Sequence, residues 1–395
     1  MKLFRTLPTS RLIALIGAVA IVLAGGTAIA VAAGGGSGPT PPPEPLAQAL
    51  HDAVSATAPA GITARITFTN NLFPSGALVG AAGSALMSGA DGRLWLNANG
   101  GRLELQSDAG DVQVVWNDTK LTVYDASSNT AYTVDLPKQA ADSGSTTHSA
   151  PSLDEISKFL ADLAKHWNVS DAQPSNVAHE PAYTVNVSPS HDGGLLGSAE
   201  LAWDASHGVP LKVAIYAQGS TAPALALTAT EISFGAVPDS DVVVAPPAGA
   251  KIVDLSSQAS GGSGGSNTPA VTGLPAVQAA VSFPVVAPDT LVGLPRQDVS
   301  LVGPQDSKAA VVVYGEGLGA IVVLERAKDT AGANGGSGAS SPLNALPTVS
   351  LDGVTAHELS TQLGTVLGWD AGQVSFVLAG SLPSGAAESA ARALK

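Results

Sequence analysis

The sequence predicts a mainly β protein, an unclosed antiparallel β-barrel with a helical lid, followed by a small α+β domain. Short segments that alternate apolar and polar residues, rich in β-branched and aromatic side chains, follow one another with turn residues between them. One amphipathic helix interrupts these segments near the middle of the chain. The 44 glycines and 27 prolines supply many turns, which suits an all-β protein better than a helical one.

Composition excludes several classes of function. The 395 residues leave room for two domains and tails, and a hydrophobic fraction of 45% is ample for a core. The net charge of −14, without a lysine- or arginine-rich run, would repel a phosphate backbone, so we expect no nucleic-acid partner. The chain has no cysteine, which excludes disulfides, thiolate metal sites, a cysteine nucleophile and a lipid-modified cysteine.

Residues 1–33 predict export. Lys2, Arg5 and Arg11 precede the uncharged run Leu12–Ala33, which is long enough to span a membrane with its basic flank in the cytoplasm. The same run contains Ala28-Ile29-Ala30, the pattern of a signal-peptide cleavage site. We therefore expect an exported protein. It is either anchored to the outer face of the cytoplasmic membrane through residues 12–33 or, if cleaved, secreted or periplasmic.

The first folded domain is predicted over residues 46–255, after a Gly- and Pro-rich linker at 34–45 that acts as a spacer from the membrane. A short helix over Glu44–Thr57 places leucines and a valine four residues apart on one face. Strands then follow over residues 62–69, 92–96, 102–106, 182–187, 197–204, 209–218, 224–235 and 251–255. Because they are joined by short turns, the order argues against a parallel, doubly wound sheet.

The clearest part of this sheet is the meander Val112–Pro137. Three short strands alternate apolar and polar residues, and Asn-, Asp- and Ser-containing turns join them. Since successive side chains of a strand point to opposite faces, the meander presents one apolar face and one polar face.

The amphipathic helix is predicted at Ser152–Trp167. Ser152 and Glu155 have the spacing of a capping box, and an apolar stripe follows at helical spacing. By itself such a stripe favours a helix packed permanently in the core over a movable lid. Both interpretations stay open at this point.

A linker over residues 256–272 separates the second domain, 273–395. Strands are predicted in this domain over residues 297–302, 308–314, 319–325, 348–351, 357–367 and 373–379, with a closing helix over 383–394. The G-x-G-x-G spacing at 315–319 joins strand to strand with no helix to receive a phosphate, so it indicates a hairpin. The pattern predicts an α+β domain.

The sequence offers no catalytic, metal or cofactor site. The seven histidines lack metal-ligand spacing, and Asp108, Asp111 and Asp118 stand at turns, where aspartate is common anyway. Gly261–Gly265 matches G-x-S-x-G in form, yet it lies in a Gly/Ser tract and not between a strand and a helix. We therefore expect a binding protein and no enzyme.

The distinctive feature is the apolar side of the sheet, on which we expect aromatic side chains from successive strands. If the Ser152 helix covers the mouth of a sheet that curls without closing, an apolar cavity results. The candidate ligand-binding residues are Ile66, Phe68, Leu94, Trp95, Leu96, Trp116, Tyr124, Tyr132, Ile156, Phe159, Leu160, Leu163, Leu201 and Trp203. Such a cavity would bind and release an alkyl ligand.

These residues resemble a known family. The meander VVWNDTKLTVYD at 114–125 with SNTAY at 128–132 is similar to that of the LolA-like lipoprotein-carrier superfamily, which includes anti-sigma-factor regulators of the RseB/MucB kind. Further similar segments are GRLWL at 92–96, AYTV at 182–185, LAWD at 201–204, GVPL at 208–211, ISFG at 232–235 and PPAGAKIV at 246–253. The resemblance covers about residues 46–255. It implies an unclosed barrel that binds acyl chains or lipoproteins as a carrier or an envelope sensor.

The resemblance has one departure and one extension. Carriers of this family have an Arg-Pro pair after the strand that matches Gly92–Leu96, and its arginine latches the lid; this chain has Asn97-Ala98 there. The tail, with LGWD at 367–370 and VLAG at 377–380, resembles a small domain of anti-sigma and sporulation regulators. The alternative function is therefore an RseB-like regulator that binds a membrane anti-sigma factor.

Overall fold

A computed structural model describes residues 38–72, 85–136, 151–191, 194–256, 271–303, 308–328 and 346–394. They form two compact units, of which the first holds most described residues up to Ser256 and the second those from Val271 onward. The predicted anchor, the linker at 257–270 and the Gly261–Gly265 match lie outside the described residues. Within the described part, no helix combines the length and the apolar character of a membrane span.

The first unit contains thirteen strands and four helices among its described residues. Its strands are β1 (Gly61–Asn70), β2 (Ala90–Asn97), β3 (Gly100–Ser107), β4 (Gly110–Trp116), β5 (Lys120–Asp125), β6 (Thr130–Asp135), β7 (Trp167–Val169), β8 (Gln173–Val177), β9 (Glu180–Pro189), β10 (Leu196–Asp204), β11 (Pro210–Ala217), β12 (Pro223–Phe234) and β13 (Lys251–Asp254). Its helices are α1 (Leu46–Ser55), α2 (Ala85–Ser88), α3 (Leu153–Leu163) and α4 (Asp239–Val242).

These strands form one open sheet, as the sequence predicts. The order is β13-β6-β5-β4-β3-β2-β1-β12-β11-β10-β9-β7, with β8 also paired to β9. The ends of this order are not joined, so the described strands do not close into a barrel. The prediction that all strands are antiparallel is wrong for β13, which pairs with β6 in parallel. After β12 the chain crosses to the edge of the sheet at β6, and β13 then runs in the same direction as β6.

The amphipathic helix has the predicted start and an earlier end. Ser152 Oγ accepts from the Glu155 amide at 3.3 Å, and the Glu155 carboxylate accepts from the Ser152 amide at 2.8 Å, so the capping box is formed. The helix ends at Leu163, and Trp167 already starts β7, so the prediction that it extends to Trp167 is wrong. The short strands β7 and β8 were not predicted because they lack a clear alternation.

The second unit is an α+β domain. Its strands are β14 (Thr290–Leu291), β15 (Leu294–Val302), β16 (Ala309–Tyr314), β17 (Ile321–Ala327), β18 (Thr348–Leu351), β19 (Val354–Thr361), β20 (Gly364–Ala371) and β21 (Val374–Gly380), and its helices are α5 (Leu274–Ala280) and α6 (Ser384–Arg392). The sheet order is β14-β15-β16-β17-β21-β20-β19-β18. The segment predicted as one strand over 357–367 is two strands, β19 and β20, which turn at Gln362 and Leu363.

One charged side chain lies inside the core of this second unit. Glu325 of β17 is fully buried, and its Oε2 accepts from the Val286 amide at 2.8 Å. Oε1 of Glu325 and the hydroxyl of Tyr314 have no hydrogen-bond partner among the described residues. Burial raises the pKa of Glu325 to about 7, because a charge in this apolar core is poorly solvated.

Candidate functional site

Strand register gathers the apolar residues of β3 to β6 into two parallel rows. Cross-strand partners share a face of the sheet. The first row joins Leu103, Val114, Val123 and Tyr132, and the second joins Trp116, Leu121 and Val134. None of these seven side chains is buried, and Tyr132 is 38% exposed. We call these seven residues the open face.

One end of the open face is closed by the protein itself. Ala85 of α2 is buried in a core with Ile66, Leu105 and Val112. Phe68 and Leu94 pack against the same core. The sheet is therefore filled where α2 covers it. Leu103, Val114 and Val123 of the first row also pack against this core and are half-buried, whereas Tyr132 at the end of that row is exposed.

The position of the Trp116 ring in the second row requires a glycine on the neighbouring strand. Gly101 is its cross-strand partner, and a β-carbon placed on Gly101 would overlap the Trp116 ring and the side chain of Leu96. The indole therefore lies across Gly101 and extends the open face toward Leu96. This arrangement brings two predicted residues, Leu96 and Trp116, together.

Two other predicted residues lie in a separate, filled cluster. Trp203 is buried, and its ring lies 6.1 Å from that of Tyr183, centre to centre. Leu201 packs against the same cluster, which α1 covers with Ala49 and its neighbours. This half of the sheet carries a packed core, so Leu201 and Trp203 are not grouped with the open face.

The predicted lid residues are all on α3, which packs on α1. Ile156 is buried, whereas Phe159, Leu160 and Leu163 are half-buried. The carbonyl of Pro151, just before α3, is 3.0 Å from Nδ1 of His51 on α1. Among the residues of this helix, only Ile156 is fully buried.

Two predicted residues lie on the opposite face of the sheet. Trp95 pairs with Thr63 and Arg102, and Tyr124 pairs with Gln113. The expectation that they share the apolar side with Trp116 is wrong. Each stands next in sequence to apolar residues of the open side, and neighbours on a strand point to opposite faces.

The face that carries Trp95 is polar. The guanidinium of Arg102 lies 4.9 Å above the Trp95 ring, and Arg65 pairs with Glu231 at 3.0 Å. Two clefts of about 490 and 400 Å³ are lined by residues of β1, β2, β3 and β12. Predicted residues that line them are Ile66, Leu94 and Trp95, and α3 lines neither cleft. Neither of these two clefts is therefore the predicted cavity under the lid.

Asn97 holds the connection between β12 and β13. Its Nδ2 donates to the Val237 carbonyl at 3.1 Å and to Oδ1 of Asp239 at 2.9 Å. Asn99 donates to the same Asp239 oxygen at 2.8 Å. We call residues 236–250 the strap. The two asparagines fix its start, which the sequence did not reveal.

Two polar clusters of the first unit were not predicted, because their partners are far apart in sequence or stand in a turn. Lys212 Nζ donates to both carboxylate oxygens of the buried Glu200, at 2.8 and 2.9 Å, and the Tyr216 hydroxyl donates to the same carboxylate at 2.8 Å. Burial and this carboxylate raise the pKa of Tyr216. Asp204 Oδ1 lies 2.8 Å from Nδ1 of His207.

The Asp204–His207 pair has the composition of part of a catalytic site, but its bonds hold a turn. Asp204 Oδ1 also accepts from the amides of Ser206 and His207, at 3.2 and 2.6 Å. The His207 ring stacks on Phe234 at 4.1 Å. Over the described ranges, no group of three His, Asp or Glu side chains is placed to hold a metal ion.

Comparisons with protein-family models and with curated proteins found no match. Among solved structures, the chain is similar to MucB in complex with MucA(peri), at 15% identity over 85% of this chain and 93% of that one, with a TM-score of 0.41. The Pseudomonas aeruginosa MucA/MucB complex gives 15% identity, 88% and 96% coverage, and a TM-score of 0.42. The chain is also similar to a putative outer membrane lipoprotein-sorting protein domain from Vibrio parahaemolyticus. The identity is 12% over 50% of this chain and 95% of that one, with a TM-score of 0.23. The chain is thus similar in structure to MucB and to a lipoprotein-sorting domain.

Proposed function

We propose that this protein is an exported binding protein that holds acyl chains of lipids or lipoproteins on its open face, as a carrier or an envelope sensor. The observation that carries the proposal is the pair of apolar rows on β3 to β6. None of the seven side chains in these two rows is buried. Contiguous apolar surface of this kind on a soluble domain is typical of an interaction site. We also propose that the protein has no catalytic activity.

The open face can bind an alkyl chain reversibly. Burying a methylene stabilises a complex by about 0.8 kcal/mol, so ten buried methylenes would supply about 8 kcal/mol. Association costs about 4–15 kcal/mol in lost freedom, so the net affinity would be weak to moderate. Weak to moderate binding suits a protein that must release its ligand.

Displacement of a fluorescent fatty acid from the full chain tests the proposal. Two substitutions introduce a charge on the open face: Val123→Asp and, at a position that is already exposed, Tyr132→Asp. The matched control is Thr122→Asp, because Thr122 lies on the same strand as Val123 and points to the other face. Circular dichroism compares the folding of the three variants.

We expect the two open-face variants to bind the fatty acid at least about tenfold more weakly, because an acyl chain would desolvate the new carboxylate. The control should bind like the natural chain. If the natural chain binds no fatty acid, or if Tyr132→Asp binds as tightly as the control, the proposal is wrong.

One observation favours the second function, binding to a membrane anti-sigma factor. Strand β13 ends the sheet, so among the described strands its outer edge is unpaired, and its Ile252 is 58% exposed. Val243 of the strap is 67% exposed. An open edge beside apolar side chains suits the addition of a strand from another protein. A pull-down from membranes with the natural chain and with Ile252→Lys would recover a partner only with the former.

We further propose that residues 12–33 keep the protein at the outer face of the cytoplasmic membrane. The proposal rests on the length of this uncharged run and its basic flank. The intact mass of the protein isolated from its host gives the N-terminus directly. A mass that matches a chain beginning after Ala30 would show that the segment is a cleaved signal peptide and not an anchor.

A further inference from the structure

The proline-rich segment before α1 is docked on the first unit. Pro41 is buried. Asn176 Nδ2, on β8, donates to the carbonyl of Pro39 at 2.9 Å. The hydroxyl of Tyr183, on β9, donates to the carbonyl of Pro42 at 2.7 Å. The stiff part of the predicted linker is therefore in contact with the folded domain.

The spacing of these two contacts fits a polyproline II helix. This helix has three residues per turn and no internal hydrogen bonds, so the carbonyls of residues 39 and 42 lie on one side and are free to accept. Pro45, three residues further, has φ −60° and ψ 144°, inside the polyproline II region. Because the prolines already restrict φ, docking this segment costs little conformational entropy.

The surface beneath the segment has the chemistry of a polyproline groove. Such grooves combine aromatic rings with donors that reach the carbonyls of the ligand. Asn176 on β8 and Tyr183 on β9 supply the two donors, and Tyr183 also supplies an aromatic ring. Burial and the nearby Glu44 carboxylate raise the pKa of Tyr183 to about 12, so the phenol keeps the proton that it donates.

We propose that β8 and β9 carry a polyproline II recognition site, and that its occupant is the chain's own segment 39–45. Docking has a structural consequence for the helices. The carbonyl of Pro45 accepts from the amides of Gln48 and Ala49, at 2.9 and 3.0 Å, so the segment holds the first turn of α1. Since α3 packs on α1, the segment fixes the base on which α3 rests.

A single label measures docking in the full chain. The protein has no cysteine, so Thr40→Cys provides one unique attachment point for a spin label, and Thr40 itself is exposed. Tyr183→Phe removes the donated hydroxyl and keeps the ring. Tyr124→Phe removes a hydroxyl that bonds Asn129 elsewhere on the sheet, and serves as the matched control.

We expect an immobile label in the natural background and in Tyr124→Phe. In Tyr183→Phe the mobile population should rise about fivefold, the effect of losing one hydrogen bond. A synthetic peptide with the sequence of residues 38–47, added in excess, should mobilise the label in the natural background, and a peptide with alanine for each proline should not. Equal mobility in Tyr183→Phe and Tyr124→Phe would overturn the proposal. Failure of the proline peptide to compete would also overturn it, since the groove would then be only a packing contact.

Discussion

At the scale of single residues, the absence of a side chain at one position shapes the open face. The Trp116 indole lies across Gly101, in space that a β-carbon would fill. We predict that Gly101→Ala destabilises the first unit by about 1–3 kcal/mol, because the ring must leave its place or the strands must separate. Urea unfolding followed by tryptophan fluorescence measures this loss. Gly235→Ala is the control, since open space surrounds Gly235; an equal loss in both variants would contradict the prediction.

Glu325 makes the stability of the second unit depend on pH. Its pKa is raised from 4.5 to about 7. Between these values the unfolded chain has lost the proton while the folded chain keeps it, so stability falls as the pH rises and is constant above about pH 7. The loss across this interval is about 3 kcal/mol. Below pH 4.5 the carboxyl is protonated in both states, so it adds no pH dependence to the stability.

Hydrogen exchange of β16 and β17, corrected for intrinsic rates, tests this dependence. We expect protection to decrease from pH 5 to pH 8 in the natural chain and to change much less in Glu325→Gln, which cannot ionise. Glu316→Gln, at an exposed position, should behave like the natural chain. A decrease of equal size in Glu325→Gln would assign the pH dependence to other groups.

The face that a strand residue occupies could be predicted from the local pattern, whereas contacts between residues far apart in sequence could not. The alternation along β2 is sufficient to place Leu94 and Leu96 on one face and Trp95 on the other. The expectation that Trp95 lies on the apolar face followed from its hydrophobicity and not from its place in this alternation, and it is wrong. The burial of Glu325 and the contact of Tyr183 with Pro42 depend on residues far apart in sequence, for which a single sequence carries no signal.

At the scale of elements, α3 depends on its first turn. Its first turn carries the capping box, and Ile156 in the next position is buried. We predict that Ser152→Ala costs the helix about 1 kcal/mol, because it leaves the Glu155 amide without an acceptor. Amides of α3 should then exchange roughly fivefold faster, with those of β4 and β5 unchanged. The substitution Ser157→Ala, past the first turn of the same helix, is the control. Equal exchange of α3 in both variants would show that packing on α1 alone holds the helix.

Elements with strong periodicity or a capping signal were predictable, and short ones were not. The meander strands and the start of α3 follow from alternation and from the Ser152–Glu155 spacing. Strands β7 and β8 are short and contain proline or polar residues, so only their pairing with β9 defines them. The parallel pairing of β13 depends on the path of the strap, which no local pattern encodes.

At the scale of the whole molecule, the two halves of the large sheet differ in how they are covered. The half under α1 is a packed core, and the half formed by β3 to β6 is filled where α2 covers it and keeps half-buried and exposed apolar side chains beyond. The sequence predicted the open sheet and its helices, but it placed Trp203 and Trp116 in one cavity. Which half is filled depends on where α1 and α2 pack, and that is decided by tertiary contacts.

Mass spectrometry of the intact protein, isolated from its host without denaturation, detects directly whether the protein carries a bound acyl lipid. We expect an acyl lipid bound to the natural chain, at a level that falls strongly in Tyr132→Asp and not in Thr122→Asp. A natural chain that carries no more lipid than Tyr132→Asp would contradict the claim that the open face binds acyl chains.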